Sequence, residues 1–279
     1  MSQARATINL ILALLWTLAL LPVQVIAKAL NLKLATRIPM RYHAGLAKIM
    51  GLRIVVRGTP STAKPTLFAV NHSSWLDITV IDCLIPVCFV AKQQVAGWPL
   101  FGTLARLQRT VFVERKRNRT GSSRDEMKVR LEAGDNLVLF PEGTSGDGNR
   151  ILPFRSSFFA LAEQPVNGKP LTVQPVSIAY VGLGGAIMGR HRRPEYTWFA
   201  DMDLAPHLWR VLGLGPVTVV VEFHRPVTIE EFTSRKEMAA HAHREIAQGL
   251  SGSLAGRGGR AHRRRRSRRA KTAESRASS

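Results

Sequence analysis

Acidic residues are scarce in this chain of 279 residues: 19 Asp and Glu stand against 40 Lys and Arg, a formal net charge of +21. So little acid draws a protein to anionic surfaces, nucleic acid or acidic lipid headgroups, rather than to basic ones. Residues 251–279 hold ten Lys or Arg and one Glu, so nine of the excess charges belong to that stretch and twelve to residues 1–250. Cysteine is scarcer still. Cys83 and Cys88, in "DCLIPVCFV", have neither CxxC spacing nor a His cluster beside them. That excludes a disulfide framework or a thiolate metal site and leaves buried free thiols in a reducing compartment. Several catalytic signatures are missing as well. "GTSGDG" (143–148) places Asp147 where a nucleophile elbow needs its second glycine. "GLGGAIMG" (182–189) lacks a correctly spaced third glycine for a dinucleotide fingerprint. "HAH" (241–243) points its two rings to different faces of a helix, which is a solvated surface and not a metal site. No internal repeat occurs.

One long uncharged apolar run is present, "INLILALLWTLALLPVQVIA" from Ile8 to Ala27, with Asn9, Thr17 and Gln24 as its main polar members. Its 20 residues match the length of helix that crosses a hydrocarbon core of about 30 Å. A secretory signal with a cleavage site at "AKA" is the rival reading, but the run is too long for a typical signal core. Lys28, Lys33, Arg37, Arg41 and Lys48 follow it and Arg5 alone precedes it, so the positive-inside rule puts the remainder in the cytoplasm. A retained anchor over residues 1–36 is expected, spanning or half-embedded, with Pro22 arguing against a straight span. "RIPMRYHAGLAKIMGL" (37–52) then reads as a basic amphipathic helix suited to the membrane interface.

With 45% hydrophobic residues, 37–250 is long enough to bury a sizeable core. Strand-like runs at 53–56, 66–70, 88–91, 110–113, 136–140, 171–180 and 217–224 alternate with helical periodicity at 74–84, 98–107, 122–133 and 154–164. A last helix spans 234–250. This alternation predicts an α/β domain, a sheet flanked by helices. The tail, 251–279, is Gly-, Arg- and Ser-rich and is expected to be disordered.

Chemistry concentrates in three stretches. In "FAVNHSSWLDITV" (68–80), Ser74 and Asp77 fit a capping box, which makes the pair His72 and Asp77 a polar corner of a helix start. Residues five apart on a regular helix lie about 140° apart and do not meet. If His72 precedes the helix and Asp77 sits in its first turn, the carboxylate reaches one ring nitrogen and orients the other as a base. An imidazole of ordinary pKa, about 6.5, suits proton removal from an alcohol. "LVLFPEGTSGDG" (137–148) runs a buried strand into Pro141, Glu142 and a Gly143-Thr144 turn, which is a ligand site or a plain turn. "RTVFVERKRNR" (109–119) ends a strand in a basic cluster. Arg115 there could clamp a phosphate, while its neighbours fit a solvated edge.

In this order the stretches resemble the PlsC-type glycerolipid acyltransferases, the family of 1-acylglycerol-3-phosphate acyltransferase. Asn71, His72 and Asp77 match its N-H-x4-D block; Phe112-Val113-Glu114-Arg115 matches a strand ending in an acid and an Arg. Phe140 to Thr144 is an intact F-P-E-G-T, and Val173-Gln174-Pro175-Val176 matches a strand with a central Pro. The resemblance covers about residues 50 to 225. It implies a mixed sheet flanked by helices and transfer of a fatty acyl group from acyl-carrier protein or acyl-CoA to a lysolipid hydroxyl at the membrane. It makes His72 the general base and Asp77 its orienting partner. Arg115, Glu142, Gly143 and Thr144 become the walls of the acceptor headgroup pocket. No cofactor or metal is implied, since the thioester is a co-substrate; the expected partners are the lysolipid, the thioester carrier and an anionic membrane surface, not nucleic acid.

Two departures concern the acceptor. Ser145 stands where F-P-E-G-T-R-S has Arg, and Phe154-Arg155-Ser156-Ser157 replaces F-K-K-G. Arg115, Arg150 and Arg155 are the candidate replacements for the lost cation. "AGWPLFGTLARLQRTVFVER" and "GTSGDGNRILPFRSSFF" resemble the bacterial branch that acylates lyso-ornithine lipid, whose headgroup has no phosphate. Lysophosphatidate is the first-ranked acceptor at this point and lyso-ornithine lipid the alternative. A hydrolase using Ser73 or Ser74 beside His72, and a binding module built on "RRRRSRR" (263–269), are the competing classes.

Overall fold

A computed structural model describes residues 1–113 and 120–256. Arg115 and all but the first residues of the basic tail lie outside them. The strands are β1 (Leu52–Arg57), β2 (Thr66–Val70), β3 (Cys88–Lys92), β4 (Val111–Val113), β5 (Leu137–Leu139), β6 (Thr172–Leu183), β7 (Ala186–Ile187) and β8 (Val217–Phe223). The helices are α1 (Gln3–Ala29), α2 (Ile38–Met50), α3 (Leu76–Asp82), α4 (Phe101–Leu107), α5 (Thr120–Glu132), α6 (Leu204–Gly213) and α7 (Arg235–Leu254).

The sheet order is β1-β8-β6-β2-β5-β3-β4, with β7 a short antiparallel addition to β6. From β6 across to β4 every neighbour is parallel, and β8 is the strand that reverses direction. The mixed sheet expected from the resemblance is therefore present. Its central strands read as continuous apolar runs because both faces are covered. In β2, Phe68 and Val70 enter one core with α3, α6 and the start of α1, while Leu67 and Ala69 enter a second core with α5 and α7. Pro175 sits inside the central strand β6, but the β6–β8 ladder begins at Val176, so its missing N–H costs no ladder bond there.

Four features differ from the sequence expectation. Residues Ser156–Glu163 form a 3₁₀ helix, not an α-helix. Ser157, Phe158, Ala160 and Leu161 of this segment line a cleft while Phe159 and Ala162 enter the second core, so no side of it is free for an ordinary amphipathic helix. α7 continues to Leu254, taking in the first four residues of the expected tail. α6 and β7 carry no signal strong enough to be read in advance. "GLGGAI" is the β6–β7 turn, with Gly184 and Gly185 at φ of 61° and 90°.

α1 is built inside out. Its buried residues are Ala6, Asn9, Thr17, Gln24 and Ala27, whereas Ile8, Ile11, Leu12, Leu15, Leu18, Val25 and Ile26 are exposed. The helix is long and apolar enough to cross a membrane and runs unbroken through Pro22. Its polar face bonds to the rest of the protein along its whole length. The Asn9 amide donates to the Leu212 carbonyl (2.9 Å), the Trp16 indole to Tyr42 (3.0 Å), and the Gln24 amide to both Ala35 (3.0 Å) and Leu107 (2.8 Å). Gln24→Leu preserves an apolar helix but strands two carbonyls. The expected cost is roughly 1–3 kcal/mol, read as a lowered Tm in detergent solution.

Candidate active site

β2 and β5 are parallel neighbours, paired from Leu67↔Leu137 to Ala69↔Leu139, so "NHSSW" and "FPEGT" leave the same edge of the sheet side by side. Carboxyl ends of parallel strands are where α/β folds collect ligand sites. Asn71 extends the ladder with its side chain. Its carboxamide donates to the Ile178 carbonyl (3.0 Å) and accepts from the Ile178 N–H (2.7 Å), replacing a backbone pair on β6. That bond pins the position of the next residue, His72.

His72 lies outside α3 and Asp77 in its first turn, and His72 Nδ1 is 2.9 Å from Asp77 Oδ2. Asp77 is fully buried and surrounded by donors. Oδ2 also accepts from the Ser73 N–H (2.7 Å) and the Ser74 N–H (2.9 Å), and Oδ1 accepts from the Tyr180 hydroxyl (2.8 Å). The capping reading is thus half met: Asp77 reaches back to Ser74, while the Ser74 hydroxyl accepts from Leu76 and not from Asp77. One carboxylate serves the helix start and the imidazole together. Burial and the Asp77 charge hold the Tyr180 phenol well above its ordinary pKa, so it stays a donor. The His72 ring stacks on Phe140 at 4.1 Å and 22°. With Nδ1 committed to Asp77, Nε2 is the nitrogen available to a substrate in the adjoining cleft.

Glu142 is 4% exposed and is not among the residues lining that cleft. Its Oε1 accepts from the His72 N–H and its Oε2 from the Leu152 N–H, both at 2.7 Å. The Gly146 N–H returns to the His72 carbonyl (2.9 Å). This carboxylate therefore ties the His72 turn to the 146–152 loop and does not itself form a wall of the cleft, whereas its neighbours Gly143, Thr144 and Ser145 do line it. Burial raises the Glu142 pKa to about 7, against the pull of the two N–H donors.

The cleft measures about 850 Å³. It runs from His72 and Phe140 between the inner faces of α1, α2 and α4 and out to α6, mostly over apolar side chains. The charged residues lining it among those described are Lys92, Arg124 and Arg155, with no carboxylate. Arg155 is the closest of these to the F-P-E-G-T turn. A Cβ added at Gly143, whose φ is +70°, would stand 3.4 Å from Arg155 Nε. Arg150 does not line the cleft. Ser73 and Ser74, the nucleophiles a hydrolase would need, are both buried and outside the cleft lining. Cys83 and Cys88 are free thiols, pushed up to about 11 by burial. His241 and His243 pack separately against Phe232 and Phe154.

Sequence reasoning did not identify Tyr180 or the anchoring role of Asn71. The one local signal for Tyr180 was a buried phenol inside a long strand. Tyr180→Phe is expected to lower kcat on the order of tenfold with KM unchanged, since the hydroxyl acts through Asp77 and not on substrate. For Glu142, a folded-state pKa above the unfolded one means stability is greatest below about pH 4.5 and declines as pH rises through about 7. Relative to Glu142→Gln, which does not titrate, the wild type should lose ground in urea unfolding between pH 5 and pH 8.

Comparison with known proteins agrees with this geometry. Residues 53–179 match the family model described as Acyltransferase. A Rhizobium meliloti (strain 1021) protein named lyso-ornithine lipid O-acyltransferase is 41% identical over 245 residues, 86% of this chain and 84% of that one. A Brucella abortus (strain 2308) protein of the same name is 40% identical over 86% of this chain and 92% of its own. A Neisseria gonorrhoeae 1-acyl-sn-glycerol-3-phosphate acyltransferase is 32% identical over 61% of this chain and 63% of its own. These relatives favour the lyso-ornithine branch over the lysophosphatidate acceptor ranked first from sequence. The crystal structure of the 1-acyl-sn-glycerophosphate acyltransferase PlsC from Thermotoga maritima superposes with a TM-score of 0.63 at 20% identity, covering 90% of this chain and 98% of that one, so the fold is shared. Sequence, fold and site geometry agree: the chain belongs to the PlsC-type acyltransferase family.

Proposed function

We propose that the protein transfers a fatty acyl group from a thioester of acyl-carrier protein or CoA to the hydroxyl of a lyso-ornithine lipid. The observation that carries the chemistry is the His72–Asp77 pair opening onto an apolar cleft. His72 Nε2 takes the proton of the acceptor hydroxyl as its oxygen attacks the thioester carbonyl. A C–O bond forms, the C–S bond breaks, and the imidazolium returns its proton to the departing thiolate. Asp77 stabilises the transient imidazolium and holds the tautomer, the task of a buried carboxylate behind a catalytic imidazole.

The acceptor reading reverses the first ranking. Ser145 leaves the cleft without the Arg of F-P-E-G-T-R-S, while Arg155 beside Gly143 still offers a planar cation there, with Arg124 and Lys92 elsewhere on the lining. A guanidinium suits a carboxylate such as that of ornithine. The relatives that cover most of the chain carry the lyso-ornithine name.

Membrane attachment follows from α1. Because its polar face is bonded to α2, α4 and α6 along its length, the helix cannot cross the bilayer while the catalytic domain stays on one side. It lies half-embedded instead, exposed apolar side in the lipid, with Lys28, Lys33, Arg37 and Arg41 toward anionic headgroups on the cytoplasmic face. The basic tail adds to this attraction. The deciding experiment offers lysophosphatidate and lyso-ornithine lipid side by side with one acyl-carrier-protein donor. Acylation of lyso-ornithine lipid is expected to dominate and to fall on the order of 100-fold or more in His72→Ala. Full activity of that variant would remove the base; a preference for lysophosphatidate would restore the first ranking.

A further inference from the structure

The rim of the cleft is uneven in charge. Lys92, Arg124 and Arg155 line it on the side of β3, α5 and the turn after β5. Trp98, from the connection between β3 and α4, and Trp198, from the stretch before α6, both line the cleft as well, their ring centroids 6.2 Å apart and their planes at 85°. Trp198 is held at two points. Its backbone N–H donates to the carbonyl of Ser73, the residue after the catalytic His72 (2.8 Å), and its indole N–H donates to the Met202 carbonyl (2.7 Å). The polar edge of that indole is thereby occupied, and what remains for a ligand is the face of the ring.

In an edge-to-face pair the edge of one indole meets the face of the other, and the ring surface left toward the cleft is negative; a cation within about 6 Å of a ring centroid is attracted by it. The local field has the same sign. Asp201 and Asp203 are exposed, flank the cleft-lining Ala200 and Leu204, and make no ion pair among the described residues. Asp203 precedes α6, yet its side chain makes no capping bond to the helix. In a chain so short of acid, two unpaired carboxylates beside a tryptophan corner make this stretch of rim a place for positive charge.

We propose that Trp98 and Trp198 bind the primary ammonium of a zwitterionic acceptor headgroup, with Arg155 of the same cleft lining taking its carboxylate. The inference rests on the ornithine reading above. Ornithine carries its carboxylate beside the amide that joins the headgroup to the acyl chain and its ammonium at the far end of the side chain. The headgroup then lies in the cleft with its two charges on separate partners and the acceptor hydroxyl directed at His72. Lysophosphatidate has an anion and no cation, so the tryptophan corner gives it nothing. Selection against it then comes from two sides, a missing Arg and an unused cation site.

The test compares lyso-ornithine lipid with its side-chain N-acetyl derivative, which keeps the shape and loses the charge, in the full-length enzyme. Acetylation should raise the wild-type KM on the order of tenfold. Trp98→Leu and Trp198→Leu should raise the KM for the parent lipid to that of the derivative and leave the derivative's KM unchanged. Trp198→Phe, which keeps a ring face, should recover part of the loss. Equal KM values for the two lipids in the wild type would overturn the ammonium site while leaving the acyl acceptor reading intact. So would Leu variants that weaken both lipids alike. If the wild type acylates lysophosphatidate and not lyso-ornithine lipid, both the reading and the site fall. Should a Leu variant fail to fold, the wild-type comparison alone still decides.

Discussion

A single buried carboxylate organises the edge of the sheet where β2 and β5 end. Asp77 has no access to solvent and takes four hydrogen bonds: two backbone N–H groups from the turn after β2, the His72 imidazole, and the Tyr180 hydroxyl from β6. A charge without solvent is costly unless every lone pair is used, and here they are used by groups that the fold needs in fixed positions. The same bonds that satisfy Asp77 close the β2–α3 turn, aim the imidazole and tie α3 to the central strand. Loosening any one partner would leave either the charge or the histidine unsupported.

Glu142 repeats the device one strand away. Its two oxygens hold the N–H of His72 and the N–H of Leu152, so the turn after β2 and the loop after β5 move as one body. The histidine is held from both sides, through its ring by Asp77 and through its backbone by Glu142, Gly146 and, by way of Ser73, Trp198. An imidazole held in this way is fixed in advance of any ligand, which is the structural form of preorganisation. The cleft in front of it is completed by α1, whose polar inner face would be out of place in hydrocarbon and whose apolar outer face would be out of place in water. One helix therefore carries a wall of the cleft on one side and an exposed apolar surface on the other.

Much of this was readable from local pattern. Seven of the eight strands stand where short apolar runs were bounded by turn residues; the central β2 and β5 are apolar because they are buried along their whole length. The His72–Asp77 contact was readable as a condition: it required α3 to begin after His72, and it does, at Leu76. What local pattern hid were residues whose function depends on distant partners. Tyr180 lies 103 positions from Asp77, and Ile178 lies 107 positions from Asn71. α6 escaped notice because "LAPHLWRVLG" is short and set between turn residues. It is held by α1, through Gly213 to Ser2, Leu212 to Asn9 and Trp209 to Gln3.

By itself the sequence determined the α/β class, the apolar N-terminal helix, the pairing of His72 with Asp77 and the family, because each is carried by spacing or by motif within a few residues. Tertiary structure alone decided that Asn9, Thr17 and Gln24 face protein, so that a helix long enough to span lies alongside the domain. It also decided that Glu142 braces the histidine rather than lining the cleft, and that Trp98 and Trp198 meet at its mouth. The physical reason is common to all three. Hydrogen-bond satisfaction and burial are properties of a packed neighbourhood, and residues far apart in the chain become neighbours only when the sheet and its helices have closed around them.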